Sequence, residues 1–222
     1  MYKTSALLAA GVVLLFTPGH QTRQLAPFNS IDIRDGGHVV LRPGPTHRVT
    51  FLKGSQAQTR VAVTGGGVLV VDRCNVGCPE RNELELEIVA PNISRLSLAN
   101  GGWIATAGAF DRQPEISVAV MHGGTIDVRS MVVDRVTATV ENGGRILAVP
   151  RAALFASVTQ GGVVLYWGNP QVKRSIEHGG IVQKGTAADI DLPLLDIGPA
   201  VIRPVDPISS AASHKRHRPR KD

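Results

Sequence analysis

Seven glycine pairs punctuate the chain, beginning at Gly36, Gly66, Gly101, Gly123, Gly143, Gly161 and Gly179. Their spacings are 30, 35, 22, 20, 18 and 18 residues, so the later pairs recur with a period near 20. Aligned on the first glycine, the residue three before is Ile33, Val63, Leu98, Val120, Val140, Val158 or Ile176. The residue three after is Val39, Leu69, Ile104, Ile126, Ile146, Val164 or Val182. Five before stand Ile31, Val61, Leu96, Val118, Ala138 and Ala156, and then the column breaks at Arg174. Small or polar residues such as Asp32, Ser97, Thr139, Ser157 and Ser175 lie between these aliphatics. Alternation on both sides of a bend means two half-buried strands joined by a tight turn.

A period of 18 to 22 residues is too short for a strand–helix–strand unit. No segment carries an apolar stripe at helical spacing between caps. The pattern therefore predicts an all-β chain, a right-handed parallel β-helix in which each coil uses about 20 residues as three short strands and three bends. Coils stack about 4.8 Å apart and aliphatic columns fill the interior. The paired glycines allow positive φ at the bends. The long early spacings hold further strand-like runs, Val49 to Phe51 and Leu84 to Ile88, which predict extra coils or an antiparallel hairpin cap at the N-terminal end.

The residue just before each pair is Asp35, Gly65, Asn100, His122, Asn142, Gln160 or His178. Stacked one per coil, the polar members predict a ladder of side chains that hydrogen-bond along the stack and that occupy a left-handed backbone position. A metal-binding or catalytic role for His122 and His178 is disfavoured, because three coils would hold them roughly 14 Å apart. Beyond the bend, residues two, four and six after the glycine point outward. Trp103, Leu147, Val163, Leu165, Trp167 and Ile181 form an apolar set there, a candidate interface for a partner or for self-association.

Cys74 and Cys78 stand in a loop after the run Val68 to Val71, and in an exported chain the pair predicts a local disulfide. A zinc site would need two more ligands at suitable spacing. Acidic residues such as Asp127, Asp134, Glu141 and Glu177 are scattered, and Glu83, Glu85 and Glu87 alternate with Leu84, Leu86 and Ile88 as on a solvated strand face. Glu141 and Glu177 fall two coils apart, about 10 Å, beyond the separation of a glycosidase pair. No phosphate loop, nucleophile elbow or cofactor motif is present in the sequence.

The two ends differ from the body. Residues 1–20 read as a secretory leader, with Lys3 before the 11-residue apolar run from Ala6 to Phe16 and a break at Thr17-Pro18-Gly19. That run is too short to span a bilayer, and no later segment reaches spanning length. Residues 186–208 carry Pro193, Pro199, Pro204 and Pro207 among apolar residues, and predict an extended segment that packs on or caps the solenoid. Residues 209–222 predict a disordered basic tail. Lys215, Arg216, Arg218, Arg220 and Lys221 against Asp222 give it +4 of the chain's +6. A basic tail on a near-neutral body suits an anionic polymer or surface, whereas an aromatic content of 4% offers few stacking platforms for specific nucleic-acid recognition.

Three features together carry a resemblance: Phe28-Asn29-Ser30-Ile31-Asp32-Ile33, the run Leu84 to Pro91, and the recurring polar-Gly-Gly bends between alternating aliphatics. From Phe28 to Lys184 the chain resembles the GIN domain, the head domain of an auto-transporter adhesin family. The resemblance implies an exported bacterial β-helix over residues 28–185, periplasmic or secreted, with no assigned biochemical role. The leading expectation is a non-enzymatic binding or scaffold domain of the cell envelope, its partner an envelope polymer or another envelope protein. The alternative is a β-helix lyase or hydrolase acting on polysaccharide.

Overall fold

The computed structural model describes residues 20–72 and 83–186 together with Asp189. The leader before residue 20, Cys74 and Cys78, and residues 190–222 with the basic tail lie outside the described residues. The front of the described chain holds β1 (Gln21–Gln24), β2 (Ser30–Ile33), β3 (His38–Pro43), β4 (Arg48–Lys53), β5 (Arg60–Val63), β6 (Val68–Asp72) and β7 (Glu85–Ala90). The regular part follows as β8 (Arg95–Ala99), β9 (Trp103–Thr106), β10 (Gln113–Met121), β11 (Thr125–Asp127), β12 (Val133–Glu141) and β13 (Arg145–Ala148). It ends with β14 (Pro150–Thr159), β15 (Val163–Tyr166), β16 (Gln171–Glu177) and β17 (Ile181–Lys184).

These strands form a β-solenoid with two walls, as the alternation requires. Sheet A runs in the order β1-β4-β7-β3-β9-β11-β13-β15-β17, and sheet B in the order β16-β14-β12-β10-β8-β2-β6-β5. Each coil contributes one strand to each wall, so a coil has two strands, not the three expected. The long strands β10, β12 and β14, of nine or ten residues, take up the length assigned to a third.

The aliphatic columns are the interior. Val71, Ile33, Leu98, Val120, Val140, Val158 and Ile176 pair in register along sheet B. Leu86, Val39, Ile104, Ile126, Ile146, Val164 and Val182 do the same along sheet A. Most of these side chains are fully buried in one continuous core. Burying a Val, Leu or Ile contributes about 1.5–3 kcal/mol each, which makes these columns the main driving force of the fold.

At each later bend the hydrogen-bond ladder continues round the corner. His122, Asn142 and Gln160 donate their amides to the carbonyls of Glu141, Thr159 and Glu177 in the next coil. Thr125, Arg145, Val163 and Ile181 donate back to Gly102, Gly124, Gly144 and Gly162.

The front departs from the repeat in two ways. The pair at Gly66 is not a coil bend. It lies in the turn of an antiparallel hairpin, where Val63 faces Leu69 and Val61 faces Val71. Thr64 N donates to Val68 O across that turn. Alternating aliphatics around a glycine pair suit a hairpin and a coil corner equally, so the pattern cannot separate them. The second departure is the stacking order. The β2–β3 coil sits between the β6–β7 coil and the β8–β9 coil. In the β6–β7 coil, residues 73–84 join the strands where other coils have a glycine pair. The expected strand at Val49 to Phe51 is β4, antiparallel to β1 and β7, and β1 beside it is the edge of sheet A at this end.

Candidate functional site

The residues before the glycine pairs share one conformation. Asn100, His122, Asn142, Gln160 and His178 have φ of 63°, 57°, 55°, 58° and 56°. Only a few residue types tolerate this left-handed region, Asn best among them. Asp35 does not share it. In its coil Gly36 is the first residue with positive φ, at 69°, and its amide donates to Ala99 O as the Asn100 amide donates to Met121 O. The five are exposed. Asn100 Nδ2 donates to Arg34 O at 2.8 Å, but no hydrogen bond joins one of these side chains to the next. The column is therefore a set of backbone corners rather than a side-chain ladder. His122 and His178 lie three coils apart by the strand pairing. Among the described residues no three of His, Cys, Asp and Glu gather as a metal-ligand set.

The outward face of sheet A changes character along the stack. At the front it is ion-paired. Arg42 Nε meets Glu87 Oε2 at 3.0 Å and Lys53 Nζ meets Glu85 Oε1 at 2.6 Å. The hydrogen bond to Glu85, and then its charge, raise the Lys53 ammonium above its ordinary pKa. Beside them a polar depression of about 430 Å³ opens among His38, Lys53, Glu83, Glu85, Asn100 and the bend glycines. It brings two carboxylates together with one lysine.

The His38 ring stacks on Trp103 with centroids 5.1 Å apart. Further along, Asp127 and Arg129 pair at 2.7 Å, and the Arg129 guanidinium lies 5.3 Å from the Trp167 ring centre. Leu147 and Leu165 stand opposite each other in register, as do Val163 and Ile181. Pointing away from the core is not the same as being exposed. Ile181 is 46% exposed and Val163 and Trp167 are half-buried, whereas Trp103, Leu147 and Leu165 are only 7%, 4% and 4% exposed. The Trp103 indole N–H is buried with no acceptor.

The outward face of sheet B is different. Ser97, Ala119, Thr139, Ser157 and Ser175 stack in register, one per coil. Ser117, Thr137, Phe155 and Lys173 run parallel to them. Phe155 is 36% exposed, with Lys173 Nζ 5.8 Å from its ring centre. Thr137, Thr139, Phe155, Ser157, Lys173 and Ser175 line a shallow depression of about 320 Å³. The alternation alone makes this hydroxyl set outward. Its signal was the small or hydroxyl residue between the inward positions of every late coil.

No helix among the described residues is long and apolar enough to cross a membrane. No protein-family profile matches the sequence, and no curated protein matches it. Among solved structures, the chain is similar to a "putative adhesin" from Bacteroides fragilis at 14% identity, over 74% of this chain and 94% of that one, with a TM-score of 0.47. It is similar to a "putative lipid binding protein" from Parabacteroides distasonis at 10% identity, over 76% and 96%, with a TM-score of 0.41. A "putative cell adhesion protein" from Clostridium sporogenes shares 10% identity over 75% and 98%, with a TM-score of 0.34. Each likeness covers almost the whole of the other chain, and none is close enough to assign this chain to a family.

Proposed function

We propose that the chain is an exported, non-enzymatic binding module of the bacterial cell envelope, and that it lays an extended hydroxyl-rich polymer such as a polysaccharide along the outward face of sheet B. The observation that carries this reading is the register of Thr139, Ser157 and Ser175 beside Thr137 and Phe155. A repeating polymer meets a hydroxyl donor and acceptor at every coil, at the strand spacing of about 4.8 Å. The half-exposed Phe155 ring supplies an apolar platform beside that column, and Lys173 adds a charge at its edge.

The face is shallow, which suits a chain lying across it better than a small molecule needing enclosure. A glycan array probed with the full chain tests this. Phe155→Ala should weaken whichever glycan binds about threefold to tenfold, in line with about 0.5–1.5 kcal/mol for an aromatic contact. Thr139→Val with Ser157→Ala should weaken it further. Binding that survives both changes but vanishes on removal of residues 209–222 would assign the interaction to the basic tail and defeat the proposal. An array with no bound glycan would defeat it too.

A further inference from the structure

Sheet A ends in an apolar outward stripe. Leu147 and Leu165 point away from the core yet are only 4% exposed, and Ile181 at the last strand is 46% exposed. The chain leaves β17 directly over this stripe. Gly185 N donates to Tyr166 O at 2.8 Å, and Gly185 lies so close to the Trp167 ring that a side chain there would collide with it. Trp167 Nε1 points at Thr186 O, at 3.4 Å. The next turn is fixed by Asp189, whose Oδ2 accepts from Thr186 N at 2.7 Å and from Thr186 Oγ1 at 2.6 Å.

Those bonds hold the Asp189 carboxyl below its ordinary pKa, with a smaller contribution from the Arg145 charge. Arg145 is an outward residue of β13, two strands back from β17. The chain after β17 thus lies against Trp167, an outward residue that follows β15, one strand back from β17.

We propose that residues 190–207 continue across the outward face of sheet A and lie on the stripe of Leu147, Val163, Leu165, Trp167 and Ile181. The segment has the composition for it: Leu192, Leu194, Leu195, Ile197, Val201, Ile202 and Val205 are apolar. Its prolines deny it the amides of a regular edge strand, so it rests on the face rather than extending the sheet beyond β17. Asp191 and Asp196 give it negative charge to set against Arg145 on the face. Its reach suffices, since 18 extended residues span up to about 60 Å and β17 lies only about 14 Å from β11. The occupant is therefore the chain itself, which leaves sheet B as the wall open to partners.

The chain's two tryptophans, Trp103 and Trp167, both lie on this face, so emission reads its cover directly. In a full-length Trp103→Phe background, Leu194→Asp with Leu195→Asp should raise acrylamide quenching of Trp167 about twofold and shift its emission to the red. The far-UV circular dichroism and thermal transition should be retained. Unchanged quenching in a folded variant overturns the proposal. If the substitutions prevent folding, a photo-crosslinking p-benzoyl-phenylalanine in place of Trp167 in the otherwise native chain decides. Intramolecular adducts to residues 190–207 support the proposal. Adducts between chains, with shielding lost on dilution, assign the stripe to a second copy and overturn it, as does the absence of adducts within residues 190–207.

Discussion

His122 and His178 show how a chemically suggestive residue can serve the backbone. Each holds φ near 57° at the entry to a glycine pair, a conformation that costs an ordinary L residue roughly 1–2 kcal/mol. His122→Asn should leave the melting temperature unchanged or raise it. His122→Val should destabilise the protein by about 1–2 kcal/mol, measured by chemical denaturation, because a β-branched residue tolerates this region worst. The two glycines that follow are not equivalent. A Cβ on Gly143 would meet nothing within 4 Å, so Gly143→Ala should cost only the backbone preference, about 1 kcal/mol. A Cβ on Gly144 would lie 2.5 Å from Val120 Cγ1 and 3.1 Å from Gly124 O, so Gly144→Ala should cost about 1–3 kcal/mol more. The left-handed corner was legible from a polar residue recurring before Gly-Gly. What the spacing could not reveal was that the side chains do not bond to one another, since each faces solvent.

The solenoid's end is written in one residue. Arg174 occupies the inward column of Ile31, Leu96, Val118, Ala138 and Ala156, and its guanidinium donates to Val182 O at 2.9 Å. It thereby closes the gap between β16 and β17 with a charge. Beside it Ile176 is 41% exposed. An inward-pointing charge at an open edge blocks edge-to-edge pairing. Arg174→Leu should therefore produce concentration-dependent association in light scattering while the native chain shows none through this edge. The break at Arg174 was visible in the sequence. The position of the β2–β3 coil was not, because its inward aliphatics match those of every neighbouring coil and fit either side equally. Repetition has a further consequence in the regular part. Deleting the 20 residues Gly123–Asn142 joins His122 to Gly143 in register, and should yield a shorter folded solenoid with the same strand signal per residue by circular dichroism. A cooperative loss of structure would show that coils are not interchangeable.

Across the whole molecule, composition pointed to an anionic partner more strongly than the body supports. Removing residues 209–222 takes the net charge from +6 to +2, since that stretch carries +5 and −1. The truncated chain should leave a phosphate-bearing cation exchanger at clearly lower salt, and the difference should fade above about 0.5 M salt as screening tightens. The all-β class and the aliphatic interior were legible, because period-two burial is a local property. The order of the coils and the hydroxyl wall of sheet B were not, because they depend on which strand lies beside which. The buried order of the front also bears on load. Pulled from its C-terminus, the protein should shed β16–β17, then β14–β15, in steps of one coil, each releasing 18 to 20 residues or about 60–70 Å of contour. The β2–β3 coil, wedged between two strand pairs that come later in the chain, can leave only after both neighbours yield. A molecule built this way pays out slack gradually at one end and holds fast at the other, as a tether does.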